Sequence, residues 1–267
     1  MRATRSAWWT WQWRGWAPWR LDTAALALAS AAVLVDVASA WVDTSLGTLG
    51  RIPVSPALPI AVLLAARLGA ASLGCTRAAV HAWREVAAVM TVVLVGTVVT
   101  YSVDVGGPGQ AVGLFVAAAG EELVYRLAVI VLVGALAARI AGREWRRVDR
   151  WGTGPGAVGL VGGALAFSAL PGHVVQMQSL ATAAPFASLA ILLGWVVLRT
   201  GAIWPAIAAH ALLNLTTITV TATEGPGALR LALAAATLCA VVVGADVAGR
   251  RTGRLRPVPS VIDLTAV

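Results

Sequence analysis

Residues 111–138 read AVGLFVAAAGEELVYRLAVIVLVGALAA, an apolar run broken only around Glu121, Glu122 and Arg126. The run exceeds the ~20 residues that a helix needs to cross a bilayer. Each ionised side chain held at the bilayer centre costs about 2.5–3.5 kcal/mol on insertion scales, so three of them in one span call for a purpose. On a helix Glu122 and Arg126 stand at i, i+4 in the favourable order, acid first. Glu121 points about 100° away from Glu122 and about 140° from Arg126. Pairing of Glu122 with Arg126 offsets part of their desolvation and leaves Glu121 for other work. A packing cluster without chemistry leaves the second Glu unexplained.

Composition says the same of the whole chain. Hydrophobic residues make up 59%, charged residues 12%, and the mean hydropathy is +0.82, whereas a soluble domain carries roughly 25% charge. Apolar runs at 23–42, 56–75, 86–103, 111–138, 155–172, 183–198, 202–221 and 228–248 predict an all-α polytopic membrane helix bundle with about eight transmembrane helices. Breaks fall at Pro53–Pro56, Gly106–Gly109, the Arg-rich stretch Arg139–Arg150, Pro171-Gly172, Arg199–Gly201 and Gly225–Gly227.

The net charge of +8 does not signal nucleic acid, because the basic residues gather at span ends as the positive-inside rule requires. With the N-terminus inside, sixteen Arg lie on the cytoplasmic side and only Arg51 and Arg230 on the other, so both termini are expected to be cytoplasmic. All 20 basic residues are Arg, a coding bias that fits a bacterial cell membrane as the location. Cys75 and Cys239 lie in apolar stretches without metal-type spacing. The N-terminus lacks a short apolar core followed by an Ala-x-Ala site, so no cleaved leader is expected.

Residues 1–20 hold Trp8, Trp9, Trp11, Trp13, Trp16 and Trp19 together with Arg2, Arg5, Arg14 and Arg20. Trp favours the headgroup level and Arg pairs with anionic lipid there, which predicts an interfacial segment on the cytoplasmic leaflet. Asp36 in the first span and Arg67 in the second lie at similar depth if the helices are antiparallel. A structural ion pair between them is expected, because an unpaired charge in lipid is expensive.

Two histidines stand in apolar surroundings. His210 and Asn214 are spaced i, i+4 in Trp204-Pro-Ala-Ile-Ala-Ala-His-Ala-Leu-Leu-Asn214. Pro205 is tolerated in the first turn of that helix, and both side chains can donate hydrogen bonds to a developing oxyanion. His173 follows Pro171-Gly172, where a helix break frees backbone and admits water. His81 lies in an Arg-rich loop and is expected to be solvated.

Together these residues resemble the CPBP family of intramembrane peptidases, also called the CAAX-protease and bacteriocin-processing or Abi family. Its Glu-Glu-x-x-x-Arg motif is matched by Glu121, Glu122 and Arg126, its Phe-x-x-x-His motif by His173, and its His-x-x-x-Asn motif by His210 and Asn214. The resemblance covers roughly residues 85–221. One position departs from it: Ala169 stands four residues before His173, and the nearest Phe is Phe167. A straight helix would aim Phe167 elsewhere, and Pro171 supplies a break that would restore the geometry.

The resemblance implies an intramembrane endopeptidase acting on a membrane-associated peptide or protein in the lipid bilayer, with no nucleic-acid partner. Glu121 and His173 would activate water, His210 and Asn214 would hold the oxyanion, and Glu122 with Arg126 would support them. No cofactor is favoured. If the site is metal-dependent, zinc would sit on Glu121, His173 and His210, one carboxylate and two imidazoles. The chain then divides into an interfacial segment (1–22), three spans (23–105), the peptidase core (106–222), a last span (223–249) and a basic, polar cytoplasmic tail (250–267). The competing reading is a non-catalytic bacteriocin-immunity or scaffolding protein of the same fold. A proton-coupled transporter would show inverted repeats, and none is visible.

Overall fold

Asp22 starts the first helix. Its carboxylate accepts the Ala25 N–H at 2.8 Å, a side-chain cap for one of the donors that a helix start leaves without a partner. In the computed structural model, which describes residues 16–70, 73, 108–177, 180–204, 206–211 and 213–214, α1 spans Thr23–Val42 and closes on Asp43 in the left-handed region (φ 51°). Ala25, Ala29, Ala32, Asp36 and Ser39 form its buried stripe, while Leu34, Trp41 and Val42 are exposed. Small residues toward the bundle and large apolar ones outward are the pattern of a helix packed in lipid.

A small hairpin follows, β1 (Thr48–Leu49) antiparallel to β2 (Ile52–Pro53), with Gly50 at φ +63° in its turn. It is a minor departure from the expected all-α fold. Helix α2 (Leu58–Leu68) packs on α1 and stops at Gly69, whose φ of +83° suits glycine. With 11 residues it is about 16 Å long, so the expected span 56–75 is a shorter helix here.

The deciding stretch forms one rod: α3 (Pro108–Glu121), a π-helical segment (Glu122–Val129) and α4 (Ile130–Ile140). All eight residues of the π segment are buried. Wide π turns inside α-helices are rare and recur at functional sites. The described residues are mostly helical, and two helices among them, Thr23–Val42 and Val112–Ile140, are long and apolar enough to cross a membrane.

Helix α5 (Thr153–Ser168) lies along the rod. A β-carbon on Gly159 would sit 2.9 Å from the Ile130 carbonyl oxygen, and one on Gly163 2.8 Å from that of Tyr125. Only glycine permits this backbone contact, the small-xxx-small device of membrane helices. The chain breaks after Ser168, restarts in the short α6 (Pro171–Gln176), and continues in α7 (Leu180–Thr200). It turns at Gly201 (φ +73°), and residues 206–211 and 213–214 are helical again.

Two expectations are corrected. Arg67 does not pair with Asp36. It binds Asp22, its Nε donating to Oδ2 at 3.0 Å, while Asp36 accepts the hydroxyls of Ser55 at 2.6 Å and Tyr125 at 2.5 Å. The helices are antiparallel as expected, but Arg67 ends α2 beside the start of α1, a distance of thirteen residues along the helix from Asp36. Trp16 and Trp19, expected at the headgroups, are buried. The Trp16 indole fills the space beside Gly156 and donates to the Gly152 carbonyl at 2.6 Å. Backbone hydrogen bonds from Ala17 to Leu198, from Leu21 to Arg146 and from Val148 to Trp19 draw residues 17–21 into the bundle. The Arg139–Arg150 stretch folds around a 3₁₀ turn, Val148–Arg150, with Arg147 paired to Asp149 at 2.7 Å. The expected spans at 86–103 and 228–248, residues 1–15, the tail, His81, Cys75 and Cys239 lie outside the described residues.

Candidate active site

Glu121 is the last residue of α3 and Glu122 the first of the π segment, so consecutive carboxylates leave the rod on different sides. Glu122 is fully buried. Its Oε2 faces Arg126 Nε at 3.6 Å, the expected i, i+4 pair, but its shortest contact is one the sequence did not announce: Oε1 accepts from His210 Nδ1 at 2.9 Å. Glu121 is 28% exposed and faces both expected histidines. Its Oε2 lies 3.8 Å from His173 Nε2 and 3.6 Å from His210 Nε2. The four groups thus converge from the rod, α6 and the helical segment after Gly201.

The break between α5 and α6 makes this convergence possible. Ser168 ends one helix, Leu170 is extended, and Pro171 opens the next at its first turn. The turn returns His173 onto Phe167: Nδ1 donates to the Phe167 carbonyl at 2.7 Å, and the two ring centroids are 4.2 Å apart. Phe167 therefore stands against His173 despite Ala169 at the motif position. The expected re-aiming by Pro171 is what the structure has.

Hydrogen-bond chemistry assigns protons. A carbonyl and a carboxylate only accept, so Nδ1 carries the hydrogen in both rings. Each Nε2 is then the nitrogen turned toward Glu121. In a neutral ring that nitrogen is a lone pair able to take a hydrogen bond from water. For His210 to donate from Nε2 it must be doubly protonated, and the carboxylates of Glu122 and Glu121 complement an imidazolium there. With Glu121, Glu122 and Arg126 ionised, that state makes the four groups neutral overall.

Aromatic rings wall the site. Phe167 stacks on Phe186 at 5.3 Å, meets Tyr125 edge-on at 5.6 Å and His210 at 5.8 Å. The Arg126 guanidinium lies over its face at 4.3 Å from the centroid, a cation–π contact in a dry setting. Phe186 also touches His173, at 4.9 Å. Sequence reasoning passed over Phe186 and Tyr125. A signal existed in their scarcity, for the chain has only three Phe and two Tyr, and the third Phe, Phe115, is exposed. Asn214 lies one turn beyond His210 on the same helical segment and is half-buried.

Polar capacity is left over. Among the described residues Glu121 Oε2, Glu122 Oε2, Arg126 Nε and Arg126 Nη1 are buried without a hydrogen-bond partner. Native structures leave few such groups, and each one needs a reason. The separations of 3.6 and 3.8 Å between Glu121 and the two imidazoles are too long for direct hydrogen bonds. As metal ligands the residues fit less well. Among the described residues no group of three His, Cys, Asp or Glu side chains is arranged to hold a metal ion, so the metalloprotease expectation gains no support.

A family model described as Rce1-like, type II CAAX prenyl endopeptidase Rce1-like, matches residues 108–216. No curated protein and no solved structure matches the chain. The matched segment begins at the first residue of α3 and contains Glu121, Glu122, Arg126, His173, His210 and Asn214. By that match residues 108–216 are similar to an Rce1-like type II CAAX prenyl endopeptidase domain, of the CPBP, or CAAX-protease, family.

Proposed function

We propose that the protein is an intramembrane endopeptidase that hydrolyses a peptide bond of a membrane-associated protein or peptide. The observation that carries this reading is the Glu121 carboxylate facing two imidazole Nε2 atoms at 3.6 and 3.8 Å, inside an apolar bundle and at a helix break.

Water is held between Glu121 Oε2 and His173 Nε2. Glu121 takes one of its protons as the oxygen attacks the scissile carbonyl carbon. The oxyanion of the tetrahedral intermediate is held by His210 Nε2–H and the Asn214 amide, an electrostatic role that is strongest where bulk water is excluded. When the C–N bond breaks, the leaving nitrogen receives the proton from Glu121, and the new carboxylic acid keeps the water oxygen with its second proton, which it then gives up to the released amine or to solvent. Glu122 fixes His210 through Nδ1, and Arg126 balances the charge of Glu122. No metal enters this sequence, in which the carboxylate is the base.

The polytopic arrangement of about eight spans with both termini in the cytoplasm belongs to the same reading, as does a bacterial cell membrane as the setting. It is supported by the Arg asymmetry and the apolar helices.

Cleavage of bilayer-inserted peptides by the full-length protein in proteoliposomes tests the proposal. Glu121→Gln keeps the shape and removes the base. It is expected to lower cleavage about 10²- to 10⁴-fold while the amount of protein in the membrane is unchanged. Undiminished cleavage by E121Q would overturn the proposal. A cellular phenotype that survives Glu121→Ala would point instead to a non-catalytic immunity or scaffolding role.

A further inference from the structure

One buried acid is used by none of these steps. Asp36 lies well inside α1, is 9% exposed, and has no basic partner among the described residues, Arg67 being bound to Asp22. Both of its oxygens are nevertheless engaged. Ser55 Oγ donates to Oδ1 at 2.6 Å and Tyr125 Oη to Oδ2 at 2.5 Å. Ser55 is itself oriented, since its Oγ accepts the Ala57 N–H at 3.1 Å. The acid therefore gathers three elements: α1, the entrance to α2, and the π segment.

Tyr125 is the informative partner. It sits between Glu122 and Arg126, is fully buried, and its ring meets Phe167 edge-on at 5.6 Å. Phe167 in turn holds His173 twice, through its carbonyl at 2.7 Å and through its ring at 4.2 Å. An unbroken series of contacts runs from Asp36 through Tyr125 and Phe167 to the imidazole that faces Glu121. A carboxylate at this depth is costly, and an apolar pair would hold the helices together without that cost. Two directed hydrogen bonds supply what an apolar contact lacks, a fixed position for the Tyr125 ring.

We propose that Asp36, with Ser55, is a positioning residue for the hydrolytic site: it locks Tyr125, and through Phe167 it sets the orientation of His173. Residues 36 and 55 lie outside the segment that matches the family model, so this device belongs to the N-terminal part of the chain. The inference rests on the peptidase reading for its catalytic consequence, and its structural half stands apart from it.

The test uses the full-length protein in lipid nanodiscs with Asp36→Ala, Asp36→Asn and Tyr125→Phe. Two readouts are taken: peptide cleavage, and the ¹⁵N signals of the imidazoles, which are few because the chain has three His. The wild type is expected to show His173 as a single tautomer with the proton on Nδ1. In Asp36→Ala and Tyr125→Phe that signal is expected to become a mixture, with kcat falling about ten- to a hundredfold and KM changing little. Asp36→Asn, which keeps one accepting oxygen, is expected to recover part of both. The double variant Asp36→Ala/Tyr125→Phe should be no worse than either single one. An unchanged His173 signal in folded Tyr125→Phe overturns the proposal, whatever kcat does, because Asp36 then serves only to hold helices. If the wild type cleaves no peptide, the peptidase reading fails while the imidazole spectrum still decides the positioning.

Discussion

Two buried acidic centres share the interior of this protein and differ in how they are satisfied. At Asp36 each carboxylate oxygen receives a hydroxyl, and the surrounding helix faces are small and closely packed. At Glu121 and Glu122 an oxygen of each acid, and two nitrogens of Arg126, have no hydrogen-bond partner among the described residues. The first centre has both of its oxygens hydrogen-bonded. The second holds capacity in reserve, with Glu121 the partly exposed member. Unsatisfied polar atoms in an apolar interior are expensive, and on the proposed function a substrate and a water would complete this second centre.

Removing the acid from each centre sharpens this contrast. Glu122→Ala strands the buried Arg126 and releases His210. It is expected to destabilise the protein by about 3–5 kcal/mol, the largest effect on stability, read as the loss of folded protein on heating in nanodiscs. Asp36→Ala leaves two neutral hydroxyls behind and is expected to cost only about 1–3 kcal/mol. Equal losses from the two variants would erase the distinction between the centres.

A third variant probes what carries both centres. Gly163→Ala pushes a β-carbon against the Tyr125 carbonyl oxygen, 2.8 Å away with the backbone unmoved. Overpacking of this kind costs about 1–3 kcal/mol, and a thermal midpoint equal to the wild type would show that α5 can shift freely along the rod. The smallest expected effect is at Asp22. The Arg67 guanidinium beside it, then the Ala25 N–H, hold its carboxyl below the ordinary value of 3.8. A carboxyl lowered by folding adds stability above its unfolded value and loses it as pH falls through its lower folded value. Asp22→Asn keeps the cap and removes the charge. Its midpoint should lie slightly below the wild type at neutral pH and converge with it in acid, and the gap should narrow in high salt because the pair is exposed.

Much of this was legible in the sequence, and the misses have physical causes. The limits of α1, Thr23–Val42, were readable from the apolar run at 23–42, which Asp36 interrupts without ending. That Glu121 and Glu122 leave the helix on different sides, with Glu122 toward Arg126, followed from helical angles alone. Phe167 was readable because Pro171 forces a break that a motif pattern ignores. Partner choice across helices was not legible. Depth suggested Arg67 for Asp36, but the pairing is decided by rotation about each helix axis and by where α2 ends, at Gly69. His210 Nδ1 and Glu122 are 88 residues apart, and no local pattern announces their contact. Trp16 and Trp19 read as headgroup anchors because a Trp carries no mark that says whether it will meet lipid or a recess at glycine. The π segment is equally silent, since widening of the helix answers to packing around it rather than to its own residues.

The central claim is that Glu121 and His173 act as one unit on one water. Cleavage rates of Glu121→Gln, His173→Ala and the double variant, measured on the same reconstituted substrate, test it most directly. The account predicts that each single change lowers kcat/KM by about 10²–10⁴ and that the double change lowers it no further, as for groups that function together. Losses that add, or full cleavage after either change, would contradict it.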